Sequence, residues 1–491
     1  LAGVGSCKQG LKSCVDGQFG ACEGQTLPQS ENCDARGDED CDGTACSDSV
    51  WVKPITATES AFAYLVDVGS DGSITIAGSF RGAMNLGDTP ATLLTSATTS
   101  SFAATFESNG TLRWSRKYDV ETLWISRLPN GGLLGSANFT GVTVLGGTSF
   151  TSAGQRDFAV FGINPTDGTI SNVRAFGGPG DDTGRAYAFA NGDFLVTGET
   201  DRTINFGGSF TAVGPQTDDF GAFVVRASPT GVAQWANVFE YSFNYGFSPP
   251  FVWPKVDGDA LYLAVLYEHN LEGANQCGFF SGDLNNLQVT RLGMNGAPLW
   301  RSCANGNVSF RGLTADSTGA PAVLANLNAD THLDPAVGAS SDPAADGGSD
   351  ILIWKLGNNG STTWTKQYGD SLAQGLDEGP PFGLVFDAAD NLVLGSMLFG
   401  SADFGDGHVV SSAGDSDGIL ASIQPDGKTR WAKAIGGPGP LQTFFAVATD
   451  PNSSDIAGLM VSGAAIDFGT GMTYAPTSAK GIDMYLVKWQ P

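Results

Sequence analysis

Asp38, Asp40 and Asp42 alternate along the chain and are followed by Gly43, giving the phrase D-x-D-x-D-G. Carboxylates at the first, third and fifth positions of a tight loop converge on one hard cation, and glycine at the sixth lets the backbone reverse. An EF-hand would carry Glu at the twelfth position, where Ser49 stands, so the loop is not of that type. The competing reading is an acidic, solvated turn held by disulfides. Six cysteines crowd the same segment: Cys7, Cys14, Cys22, Cys33, Cys41 and Cys46. Large aliphatic residues are scarce there, so burial alone cannot fold it and disulfides are expected. Sequence does not choose among the fifteen pairings of six cysteines. Local pairing is the expectation, Cys7 with Cys14 or Cys22, and Cys33 with Cys41 or Cys46. The remaining two, Cys277 and Cys303, are expected to form a disulfide that pins a long insert.

Other chemistry-bearing residues are thinly spread. His269, His332 and His408 are far apart, which argues against a histidine metal site or triad. Asp181 and Asp182 in GGPGDDTGR could join a cation site, but turn chemistry explains them equally well. Glu268 and Glu272 flank His269 without a partner at catalytic spacing. Asn138, Asn307 and Asn359 sit in glycosylation-type triplets and are read as turn residues. No H-E-x-x-H or phosphate-cradling lysine phrase occurs.

Whatever these groups do, repeated β units must position them. A turn with glycine followed by a strand with tryptophan ends at Trp114, Trp235, Trp300, Trp364 and Trp431, with Trp51 opening the series and Asn172 as the degenerate copy. The intervals are 63, 58, 63, 65, 64 and 67 residues, and 60 more reach the end, so seven units fill residues 50–491. The third unit shows the order: GRAYAFA, a turn, FLVTGET, a Gly-rich connection, FGAFVVRAS, a turn, VAQWANVF. Alternating apolar and β-branched residues between Asn-Gly, Asp-Gly and Pro-Thr-Gly turns are strand and hairpin signals. The connection carries a small phrase at Asn85, Val144, Asn205, Asp403 and Asp467, replaced by long inserts in units four and five.

Four antiparallel strands repeated seven times predict an all-β fold, a seven-bladed β-propeller over 49–491 behind a disulfide-rich head over 1–48. The last unit lacks a fourth strand, and the surplus strand at 49–55 is expected to complete it, antiparallel to Met484–Trp489, which would close an otherwise open edge. One tryptophan per unit at one strand position is what packing between sheets requires. Trp124 and Trp253 are out of register and are the better candidates for binding aromatics.

The repeats resemble the secreted bacterial β-propeller repeat family, through TKQYGD from Thr365 and NLVLGSMLFGSADFGDG from Asn391. That resemblance spans about nine tenths of the chain and implies the fold, not an activity. The stretch ENCDARGDEDCDG resembles the metal-binding motif of MopE-type bacterial surface proteins, departing from it at Ala35 and by an extra residue before Asp38. The resemblance implies Ca²⁺ at Asp38, Asp40 and Asp42, rather than copper.

Composition bounds the partners. A net charge of −26 repels phosphate backbones and anionic lipid, so nucleic acid is excluded as the expected partner. No apolar run is long enough for a membrane-spanning helix. The cysteine framework, and a chain that starts at Leu1, fit a secreted or surface protein, although a truncated piece would start so too. The expected role is non-catalytic: binding or adhesion outside the cell, with a protein or glycan held by the rim inserts at roughly 267–287 and 326–348. The alternatives are a filament or sheath subunit that self-associates head to tail, and a polysaccharide-acting enzyme using the axial funnel.

Overall fold

The computed structural model describes residues 7–15, 18–20, 22–26, 51–87, 93–189, 191–206, 211–213, 221–239, 251–257, 260–268, 285–328, 331–334, 348–372, 374–375, 383–468, 472–477 and 481–490. Among them there is no helix, and the fold is all-β and β-propeller-like. Antiparallel sheets of four strands follow one another in chain order. The first contains Ser60–Val68, Ile74–Asn85, Leu93–Phe106 and Leu112–Tyr118. Thr122–Arg127, Leu133–Leu145, Thr148–Ile163 and Ile170–Phe176 form the second, and Asp182–Ala188, Phe194–Thr200, Gly221–Ala227 and Ala233–Phe239 the third. The fourth has Phe251–Asp257, Ala260–Glu268, Asn285–Leu292 and Pro298–Asn305; the fifth, Val308–Ala315, Pro321–Leu327, Asp350–Leu356 and Thr362–Tyr368. The sixth has Leu384–Phe386, Leu392–Leu398, Asp417–Ile423 and Thr429–Ile435.

The seventh sheet supplies only three consecutive strands, Gln442–Thr449, Ile456–Ser462 and Asp483–Trp489. Its fourth is Trp51–Ala57, paired antiparallel with Trp51 opposite Lys488 and Ile55 opposite Met484. The end of that strand crosses to the first sheet, where Thr56 faces Asn85 and Ala57 faces Met84. One strand thus hydrogen-bonds the last sheet to the first.

The third strands of sheets three, five, six and seven are buried at every position, because sheets pack on both of their faces. The core is accordingly a succession of clusters, each shared by two neighbouring sheets. Phe158 and Phe223 belong to the cluster between sheets two and three, and Leu324 and Ile419 to that between five and six. Ile76 and Phe102 share a cluster with Leu459 and Leu486, so the seventh sheet packs on the first.

The tryptophan phrase is the seam. Each indole N–H donates to a backbone carbonyl in the turn between the third and fourth strands of the next sheet: Trp51 to Ser108, Trp114 to Pro165, Trp235 to Met294, Trp300 to Asn358 and Trp364 to Pro425, at 2.7–3.0 Å. The glycine of that turn adopts positive φ and lies flat on the ring. A Cβ at Gly296 or Gly360 would sit 2.7 Å from Trp235 or Trp300. Asn172 departs from the pattern: it takes φ 54° beside an irregularity in the pairing of strands 148–163 and 170–176.

The connection phrase is a buried plug. Leu86, Leu145, Phe206, Phe404 and Phe468 are all buried. Phe206 touches Phe158 and Phe176 of sheet two and Phe223 of its own sheet, and Phe404 stacks on Tyr368 of sheet five. In the fifth unit the connection goes elsewhere: His332–Asp334 adds to the outer strand of sheet four, with Asp334 opposite Cys303.

In the head, the described residues form a hairpin ladder in which Lys8 faces Thr26, Leu11 faces Glu23, Cys14 faces Phe19 and Val15 faces Gln18. Cys14 and Cys22 carry free thiols, while Cys7 is disulfide-bonded. The expected pairing of Cys7 with Cys14 or Cys22 is therefore corrected. The ladder places Cys7 at the open end and Cys14 near the turn, and seven residues of extended chain separate them by about 20 Å, far beyond disulfide reach.

Candidate functional site

Each sheet's first strand pairs on one side only. The first strands of all seven sheets together line one cavity of about 330 Å³. Asp67 comes from 60–68, Trp124, Ser126 and Arg127 from 122–127, Tyr187 from 182–188, Lys255 from 251–257 and Thr314 from 308–315. Val385 and Val447 complete the wall from sheets six and seven.

Side chains of the preceding sheet cap the open edge of these strands. In sheet three the N–H groups of Gly184, Ala186 and Ala188 donate to Asn138 Oδ1, Ser136 Oγ and Ser126 Oγ. Edge donors are thereby satisfied without blocking the cavity. Tyr64 clamps the start of strand 122–127: its hydroxyl donates to the Leu123 carbonyl at 2.7 Å and accepts the Leu123 N–H at 3.1 Å. This fixes Trp124 beside Tyr187, with ring centroids 5.6 Å apart, and the Arg185 guanidinium lies 5.4 Å from the Trp124 ring.

The charges are unequal. Arg127 Nε donates to Asp67 Oδ2 at 2.5 Å and a terminal nitrogen donates to Thr75 Oγ1 at 3.1 Å, joining sheet two to sheet one. Burial pushes the Asp67 carboxyl above its ordinary value, against the pull of Arg127 and of Lys255. Burial also pushes the Tyr187 phenol up to about 12, so it is neutral near pH 7. The site can hold a small molecule between a hydroxyl, an aromatic wall and a cation.

Of the residues singled out in the sequence, Trp124 is at this site, buried and lining the cavity. Trp253 lies on strand 251–257, its side chain outside the described residues. Asp38, Asp40 and Asp42 are outside them too, as are Cys33, Cys41, Cys46, Cys277, His269 and Glu272. Among the described residues no group of three or more His, Cys, Asp or Glu could hold a metal. Cys303 is disulfide-bonded on the outer strand of sheet four.

Asp181 and Asp182 do not meet around a cation. Arg156 donates twice to Asp181, at 2.5 and 2.7 Å, and Asp182 is fully buried, accepting the Gly178 N–H. Asn138 is no turn residue. It lies buried within strand 133–145 and its amide donates to Thr122 Oγ1. Asp67, Arg127 and Lys255 carried no sequence signal, since each comes from a different unit at no repeated spacing.

No protein-family model matches the chain, and no curated protein matches it in sequence. Among solved structures, the polysaccharide lyase Uly1 is 8% identical, covering 99% of this chain and 98% of its own, with a TM-score of 0.40. A europium-containing methanol dehydrogenase is 11% identical, with 89% and 93% covered and a TM-score of 0.34. The Synechocystis apocarotenoid oxygenase is 9% identical, with 88% and 94% covered and a TM-score of 0.37. Likeness at this level assigns no activity.

Proposed function

We propose that the chain is a seven-bladed β-propeller, closed by the strand 51–57 on the last blade, and that it works as a non-catalytic binding module outside the cell. The observation that carries the reading is the cavity lined by the first strands of all seven sheets. A site shared by every blade is one that the ring builds and no single blade could. The cyclic order of packing, with the seventh sheet against the first, supports closure. Binding without turnover is favoured because the carboxylate facing the cavity is engaged by Arg127 and the Tyr187 phenol is a poor base while neutral. The cysteine-rich head supports an oxidising, extracellular setting, and by resemblance to the MopE-type motif it would hold Ca²⁺ at Asp38, Asp40 and Asp42. The resemblance of the repeats to the secreted bacterial propeller family points the same way.

The test is calorimetric titration of the whole protein with a panel of small metabolites, followed by mass spectrometry of the recovered ligand. A ligand bound and recovered unchanged is the expected result. Consumption of the ligand would make the protein an enzyme, and no binding by any compound would remove the cavity from consideration. Calcium titration of Asp38→Asn against the parent protein tests the head separately.

A further inference from the structure

We infer that the cavity takes a small hydroxylated organic acid, its carboxylate on Lys255 and its carbon body against Tyr187 and Trp124. This rests on reading the cavity as a ligand seat. The argument begins with a charge count among the lining residues. Asp67 and Arg127 neutralise each other in a direct ion pair. Lys255 lines the same cavity and, among the described residues, is in no ion pair. Among the described lining residues one positive charge is therefore in excess, in a molecule whose net charge is −26.

Such a charge, partly withdrawn from water, attracts an anion and repels a metal ion. The kind of anion follows from the other walls. The Arg127 fork is already engaged with Asp67 and Thr75, so the bidentate grip that favours phosphate is not offered. A single ammonium suits a single carboxylate. Ser126 Oγ accepts the Ala188 N–H and keeps its own hydrogen to donate, and Thr314 adds a second hydroxyl. These suit a hydroxylated body. Tyr187 and Trp124 give that body an apolar wall. The volume, about 330 Å³, is at the lower end of the roughly 300–1,000 Å³ of ligand pockets. One sugar-sized acid fits; a polymer chain does not.

The experiment titrates the whole protein by calorimetry with matched pairs: glucuronate against glucose, gluconate against sorbitol, quinate against inositol. At least one acid should bind tenfold or more tightly than its neutral partner, and raising the salt should narrow the gap. Lys255→Gln should abolish the preference, and Lys255→Arg should keep it, with both melting near the wild type. Equal binding of acids and neutral partners would overturn the anion assignment while leaving the cavity as a ligand seat. A preference that survives Lys255→Gln would overturn the role of Lys255. Binding of neither class would sink the ligand seat itself.

Discussion

Lys355 is a lysine where water barely reaches, with only 7% of its side chain exposed. Its ammonium donates to Asp316 Oδ2 and to the Ala320 carbonyl, both at 2.8 Å. Burial lowers the Lys355 ammonium below its ordinary value, whereas at Asp316 burial is outweighed by hydrogen bonds from Lys355 and Thr318, leaving the carboxyl below its own. Sheets three and seven have counterparts in Arg226–Asp193 and Lys488–Asp455, so a third-strand cation meeting the turn before the second strand is a recurring device. Removing one member strands the other: Asp316→Ala should cost ~3–5 kcal/mol in urea denaturation, and adding Lys355→Met should restore most of it. A single variant as stable as the parent protein would contradict this. Asp182 gives a prediction of opposite electrostatic sign. Burial pushes its carboxyl up to about 6, although the Thr200 hydroxyl and the Gly178 N–H favour the charged form. The folded state holds that proton more tightly than the unfolded chain, so this group's stabilising share is present below about pH 4 and is lost as the pH rises to 6. Asp182→Asn should therefore gain in melting temperature relative to the parent as the pH goes from 4 to 7. A constant difference would refute the assignment.

At the scale of the element, the glycine–tryptophan phrase was legible because two constraints fall on the same few residues. The turn needs positive φ, and the ring of the preceding sheet leaves no room for a Cβ. Gly360→Ala violates both and should cost at least ~1 kcal/mol. Trp300→Phe loses the bond to Asn358 and part of the ring face on which Gly360 lies, so at least about 1 kcal/mol is expected. Thermal unfolding of the two variants checks both: a variant as stable as the parent protein would mean that its half of the seam, turn or indole, is dispensable. The head was less legible. Cysteine spacing says how many staples are available, while the hairpin ladder decides which thiols can meet, and that ladder has few apolar residues to announce it. The cavity was least legible of all. Each first strand contributes one or two residues, so Asp67, Arg127 and Lys255 become neighbours only when the sheets assemble, and Trp124 was visible only because it breaks the tryptophan register.

The whole molecule depends on a pairing across more than four hundred residues of chain. Trp431 shows its consequence. Its indole should donate to the turn between the third and fourth strands of the next sheet, as its five counterparts do. The seventh sheet has no such turn, because its fourth strand arrives from the other end of the chain, and the buried Trp431 Nε1 has no hydrogen-bond partner among the described residues. Discontinuity thus leaves one donor unsatisfied while gaining a closed edge. The gain is the larger: strand 51–57 covers the ladder side of 483–489, pairs with the first sheet through Thr56 and Ala57, and puts Ile55 in the cluster shared by sheets one and seven. Without it two edges would open next to each other, a known route to aggregation. Deleting residues 49–55 should lower the melting temperature sharply and promote association during size-exclusion chromatography, while deleting 1–30 should leave the temperature close to that of the full chain. Head and sheets then differ in what they contribute: the head's ladder over 8–26 hydrogen-bonds only within itself among the described residues, whereas the strand from Trp51 onward pairs with the seventh and first sheets. Equal melting temperatures for the two truncations would mean that the seventh and first sheets hold together by side-chain packing alone, and that the shared strand is dispensable.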